Sequence, residues 1–230
     1  MIQQVDYEND ATGALRPIQI RFFGVGDAGC KALEHLAART LLDATYTAVN
    51  TDAMSLHQCQ LDRKLHIGQR ATHGLGAGGD MEAGRAAAEE GLERMRALCR
   101  GADMVIFFTG LGGGTGGGAT PVLARLAREC DALVLVVATL PFEFECAHRH
   151  RAAAGAVEQL KAAADAVLTF PLAKFHKLAG EHPLAVPGIT MAHEFIAQAV
   201  AGLARLIRGP HCIKLDFAHV RRAFLGRHAE

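Results

Sequence analysis

Residues 110–121 read GLGGGTGGGATP, with seven glycines in twelve positions. The run lies between the apolar stretch DMVIFFT (103–109) and the amphipathic stretch VLARLARE (122–129). Ordering so many glycines is costly, because each loses more backbone freedom on folding than any other residue. A glycine loop joining a buried strand to a helix gains something specific for that cost. Successive backbone N–H groups turn toward one point, and the helix N-terminus adds unpaired donors and the positive end of its dipole. Such a loop suits phosphate. Outward from it the chain alternates β-rich and helical runs. IQIRFFGV (18–25), TYTAV (45–49), KLHI (64–67), DALVLVVATL (131–140) and AVLTF (166–170) read as strands with DMVIFFT. AGCKALEHLAARTLL (28–42), the run 80–100 capped by Asp80, 143–164 and 189–208 read as helices. Continuous apolar strands alternating with helices predict an α/β fold, a doubly wound and mostly parallel sheet. In such a sheet ligands bind outside the carboxyl ends of the strands.

Composition bounds the reading. The 230 residues are 50% hydrophobic and 21% charged, with 24 Lys plus Arg against 24 Asp plus Glu, which fits one globular domain. The balance gives no field directed at nucleic acid or a lipid surface, and no nucleic-acid partner is expected. No apolar run approaches the ~20 residues of a membrane span. Residues 1–16 lack the order of a signal peptide and read as a flexible leader. The six cysteines (30, 59, 99, 130, 146, 212) include no CxxC pair, so reduced thiols in a cytoplasmic protein are expected, with no metal site.

Two further glycine clusters fall where the strand-end rule puts a ligand. GVGDAG (24–29) satisfies G-x-G-x-x-G after the first strand, and GLGAGGD (74–80) runs into a helix start. The first fits a dinucleotide-binding turn, the basis of an oxidoreductase reading, and equally a tight turn of no special function. No G-x-x-x-x-G-K-[ST] is present, so the cradle is read as one of glycine backbone without charge.

These motifs carry a likeness. GGGTGGGATPV (112–122) resembles the phosphate-loop signature of the tubulin/FtsZ family. AVNTDAMSL (48–56), HGLGAGGDMEAGRAAAEE (73–90), PFEFE (141–145) and the stretch 199–220 resemble further family motifs in order and spacing. The resemblance spans about residues 18–225 and implies a GTP or GDP site, with magnesium as a possible companion ion. It implies that Gly26, Ala28, Gly29, Ala77, Gly78, Gly79, Gly112, Gly113, Gly114, Gly116, Gly117 and Gly118 surround the phosphates, and that Thr115 adds a hydroxyl. Glu145 and Arg149 match ribose-contacting positions, and His193 a base-reading one. It divides the chain into the leader, a nucleotide-binding domain at 17–187, and 188–230 as a long central helix, a synergy-type loop and a short helix. The family's second domain is read as absent.

The departures from the family pattern matter as much. Its synergy loop reads N-x-D-x-x-D, whereas here Lys214, Asp216 and His219 occupy those positions. Asp216 and His219 are the candidate catalytic residues, acting on a neighbouring subunit's nucleotide. Lys31, Ile189 and Leu172 replace family residues that contact the base, and Asp27 replaces a glycine beside the phosphates. Losing a stacking partner removes about 1–3 kcal/mol of base preference. The expectation is a nucleotide-binding protein that self-associates or binds a protein partner, with weak or no hydrolysis and an indirect membrane association. A non-enzymatic scaffold is the alternative. Phe195, Val200, Leu203 and Leu206 are expected to form the apolar surface on which partners dock.

Overall fold

The computed structural model describes residues 18–39, 44–180, 186–208 and 217–229. The proposed leader, and Asp216 with Lys214 and Cys212, lie outside the described residues. Among the described residues, seven strands form one parallel sheet in the order β3-β2-β1-β4-β5-β6-β7. They are β1 (Ile20–Val25), β2 (Thr45–Asn50), β3 (Arg63–His66), β4 (Met104–Gly110), β5 (Leu133–Leu140), β6 (Ala166–Pro171) and β7 (Arg227–Ala229). The helices are α1 (Gly26–Arg39), α2 (Ala53–Gln58), α3 (Met81–Glu90), α4 (Leu92–Cys99), α5 (Thr120–Glu129), α6 (Ala147–Ala163), α7 (Leu172–Leu178), α8 (Val186–Arg208) and α9 (Phe217–Phe224).

Strand order reverses between β1 and β4, which opens a crevice at their carboxyl ends. The central strands are apolar throughout because both sheet faces are covered. Phe23 and Phe107 stack at 5.5 Å on one face, within a core shared with α3, α4, α5 and α6. Phe22 stacks on Tyr46 at 5.1 Å on the other, in a core shared with α1 and α8. Asp165 is buried at the start of β6, where it accepts from Val134 N (2.8 Å) and pairs with Arg128 (3.3 Å).

Several elements differ from the sequence reading. The helix read over 80–100 is two helices, interrupted at Gly91, whose φ −91° and ψ 0° leave the helical path. The helix read from 143 starts at Ala147, because Cys146 is extended and Phe142–Glu145 closes a turn. The short helices α2 and α7 have too few residues to show a periodicity. Residues 227–229, read as the end of a helix, add a strand to β6. The apolar flank of α8 is also smaller than expected. Val200 is buried and Leu203 packs on the core, leaving Phe195 and Leu206, each 55% exposed.

Candidate functional site

A cavity of about 370 Å³ opens at the carboxyl ends of β1, β2, β4, β5 and β6, at the point where the strand order reverses. Three glycine loops build it. Gly26, Asp27 and Ala28 enter α1, Gly76–Gly79 lead into α3, and Leu111 with Gly113–Gly116 follow β4, whose last residue Gly110 also lines the cavity. Of the residues assigned to phosphates, Gly26, Ala28, Ala77, Gly78, Gly79, Gly113, Gly114, Thr115 and Gly116 line the cavity. Gly29, Gly112, Gly117 and Gly118 do not; they lie behind the lining, against Phe108, Arg149 and Met81.

The loop after β4 does not pass directly into an α-helix. Thr115–Ala119 form one π-helical turn before α5, a rare conformation that recurs at functional sites. The turn packs against α3 because glycines allow it. A side chain on Gly84 would collide with the carbonyl of Gly114, and one on Gly118 with the carbonyl of Met81. Thr120 ties the turn from below, its Oγ1 donating to Gly116 O at 2.6 Å. Asp80 caps α3 by accepting from Glu82 N at 2.8 Å, which fixes the second glycine loop.

Polar side chains complete the wall. Asn50 Nδ2 donates to Asp27 Oδ1 at 2.7 Å, and Asn50 Oδ1 accepts from Thr51 N at 2.8 Å. The Thr51 and Thr115 hydroxyls meet at 2.6 Å. Arg149 pairs with Glu145 at 2.9 Å, and Glu145 also accepts from Phe142 N at 2.8 Å. The cradle is therefore not free of charge. Among the described residues, Asp27, Asp52 and Glu145 face it together with one cation, Arg149. An anion there relies on backbone donors and helix ends, and a bound cation would relieve the carboxylates. Asn50 and Asp52, which line the cavity, were not singled out from the sequence as site residues; Thr51 is buried behind them. Their signal was a polar triplet at the carboxyl end of a strand, where ligands bind in such sheets.

Two sequence candidates stand apart from the cavity. His193 does not line it; the ring packs 6.0 Å from His35 across the α1–α8 contact. Burial, helped by His35 and Lys31, holds its pKa down at about 4, so the imidazole is neutral. His219 is exposed on α9. That helix is anchored at the opposite edge of the sheet, where Arg221 donates to Asp131 O at 3.4 Å and Gly226 N to Asp165 O at 2.9 Å. His219 therefore stands at the far edge of the sheet from this cavity. Among the described residues, no group of three His, Cys, Asp or Glu side chains could hold a metal ion by itself. Magnesium is typically held by one or two carboxylates plus phosphate oxygens; two carboxylates line the cavity, Asp27, which accepts from Asn50, and Asp52, which accepts from Ser55 N.

Known proteins share this arrangement. The cell division protein FtsZ of Magnetospirillum gryphiswaldense is 40% identical over 207 residues, which cover 90% of this chain and 37% of that protein. An empty FtsZ dimer from M. jannaschii superposes with a TM-score of 0.86 at 35% identity, covering 93% of this chain and 62% of that one. CetZ2 from Haloferax volcanii, a GTPγS-bound protofilament, gives 0.78 at 28% identity, covering 92% and 64%. The chain spans between about a third and three fifths of the length of the curated relatives it matches. Residues 19–180 match the model of the Tubulin/FtsZ family, GTPase domain. With that match over most of its length and the same doubly wound sheet, the chain belongs to the Tubulin/FtsZ family.

Proposed function

We propose that the strand-end cavity binds GTP or GDP, and that the chain self-associates in a cytoskeletal or division-related role with weak or no hydrolysis of its own. The observation that carries this is the convergence of three glycine loops with the Glu145–Arg149 pair on one cavity at the β1–β4 crevice. The phosphates would lie over the backbone of residues 113–116 and 77–79, with the ribose toward Glu145 and Arg149. Asp27 and Asp52 would hold magnesium together with phosphate oxygens. Catalysis in such a site rests on positioning and charge stabilisation. Here those would come from Asp216 and His219 of a neighbouring subunit. A related fold carrying GTPγS in a protofilament supports both nucleotide binding and assembly.

Slow turnover follows from the same residues. Lys214 and His219 stand where the family pattern has a carboxamide and a carboxylate, which leaves one acidic group to orient water. A cytoplasmic location, with a partner linking the protein to the inner face of a membrane, fits a family role in division. The second reading is a scaffold whose nucleotide only holds its shape, favoured by the same two substitutions. Nothing outside 24–29 favours NAD.

Nucleotide released from the purified protein by denaturation and identified by chromatography tests the binding claim; GDP or GTP is expected, and NAD or nothing would overturn it. Phosphate release from the protein and from Asp216→Ala then separates slow enzyme from scaffold, since equal background rates would remove the enzyme. Sedimentation at tens of micromolar with and without GTP tests assembly. A strict monomer in both would remove it.

A further inference from the structure

A second groove, of about 640 Å³, lies against the wall of the strand-end cavity. One side is the second glycine loop with the start of α3, and the other is the opening of α6, which brings His148 and Arg151. Gly78 and Gly79 line both the groove and the cavity. Their φ angles are left-handed, 57° and 85°, and a side chain on either would meet nothing within 4 Å. The partition between the two spaces is therefore bare backbone. Charge on the α6 side runs against the helix. His148, Arg149, His150 and Arg151 are consecutive and exposed, and the first turn holds no acidic residue. Cations at a helix start face the positive end of its dipole, which disfavours them. Arg149 is offset by Glu145 at 2.9 Å. Among the described residues, Arg151 has no carboxylate partner. Asp80, which also lines the groove, accepts instead from Glu82 N at 2.8 Å and Ala83 N at 3.4 Å.

We propose that Arg151, helped by His148, binds the terminal phosphate of a nucleoside triphosphate and so distinguishes it from a diphosphate. The inference rests on the reading of the cavity as a nucleotide site. With the ribose toward Glu145 and Arg149 and the phosphates over 113–116 and 77–79, the far end of the phosphate chain falls at the two glycines shared with the groove. A third phosphate adds negative charge where Asp27, Asp52 and Glu145 already stand, and Arg149 is committed to Glu145. Arg151 is a cation without that commitment, beside the place where the added charge falls. Its planar guanidinium can donate two parallel N–H bonds to phosphate oxygens. No side chain of the partition blocks that approach, because Gly78 and Gly79 have none. An acidic segment of another chain would also meet cations here, but the continuity of the groove with the cavity, through glycine backbone alone, favours phosphate.

Displacement of fluorescent methylanthraniloyl-GDP by GDP and by slowly hydrolysed GTPγS tests this on the full chain, in protein dilute enough to stay monomeric and with magnesium held constant. The parent chain is expected to bind GTPγS more tightly than GDP. Arg151→Ala should lower the affinity for GTPγS about tenfold, the weight of a hydrogen bond to a charged group, and leave that for GDP within about twofold. Arg151→Lys keeps the charge without the planar fork and should recover part of the loss. His148→Ala should weaken GTPγS about threefold. Arg151 is exposed on a helix and alanine is a strong helix former, so the ligand-free variant should melt no lower than the parent. Equal losses for both nucleotides, or none for either, would overturn the proposal. So would unchanged affinities together with a smaller sedimenting species at higher concentration, which would assign the groove to a second copy of the chain. A parent chain that binds neither nucleotide would overturn the nucleotide reading itself, and this inference with it.

Discussion

Asn50 donates its amide to the Asp27 carboxylate at 2.7 Å, and both residues line the cavity assigned to phosphate. The bond fixes a negative charge where an anionic ligand would bind. At an effective dielectric near 20, two unit charges ~8 Å apart repel by about 2 kcal/mol, and salt reduces this to about 1. Asp27→Asn is therefore expected to bind GDP about fivefold more tightly than the parent chain in EDTA. With excess magnesium the gain should vanish or reverse, because the ion offsets the carboxylate in the parent chain and the variant lacks one of its proposed ligands. Calorimetric titration under both conditions checks this, and weaker binding of the variant in EDTA would refute it.

The contact between Gly84 and the carbonyl of Gly114 makes a second prediction. A methyl group at residue 84 meets backbone that cannot give way without moving α3 off the π-helical turn. Gly84→Ala should lower stability by about 1–3 kcal/mol, the usual cost of overpacking. It should weaken nucleotide binding more than that loss implies for the fold, because the displaced segment is cavity wall. Gly155, with open space around it on α6, is the control, and Gly155→Ala should be neutral or stabilising. Thermal melts with and without GDP separate the two effects.

Much of this site was legible in the sequence because backbone makes it. Glycine runs between apolar strands and helix starts predicted the sheet class and the three loops at one edge. What stayed hidden depended on packing. Gly29, Gly112, Gly117 and Gly118 were read with the cradle, and only the packing shows them set against Phe108, Arg149 and Met81 rather than on the cavity wall. Asn50 and Asp52 sit next to a strand end, but only the fold brings Asn50 to Asp27, 23 residues away. The strand β7 was read as helix because three exposed residues, Arg227–Ala229, show no alternation of burial. Their pairing to β6 is a tertiary outcome.

In the core, Phe107 is fully buried against Phe23 in the layer beneath the loop 110–118. Phe107→Ala should cost about 3–5 kcal/mol, adding a cavity to the lost burial. Chemical denaturation should show the midpoint falling with little change in slope. A change below about 1 kcal/mol would contradict the packing described.

His193 gives the stability a pH dependence of definite sign. Burial and the neighbouring His35 and Lys31 hold its folded-state pKa at about 4, below the unfolded value of about 6.5. Between those values the unfolded chain binds a proton that the folded chain does not, so stability falls as pH is lowered through that window. Above about pH 6.5 both states are neutral there, and the residue contributes no slope. Arg39 and Glu194 also pair across this contact, at 2.7 Å. The full shift corresponds to about 3 kcal/mol, and partial exposure of the ring reduces the expected loss to about 2. His193→Gln keeps a polar side chain without the titration. The difference in unfolding free energy between pH 7 and pH 4.5 should therefore shrink by about 2 kcal/mol in the variant. Equal slopes in the two proteins would show that the α1–α8 contact does not keep this imidazole neutral.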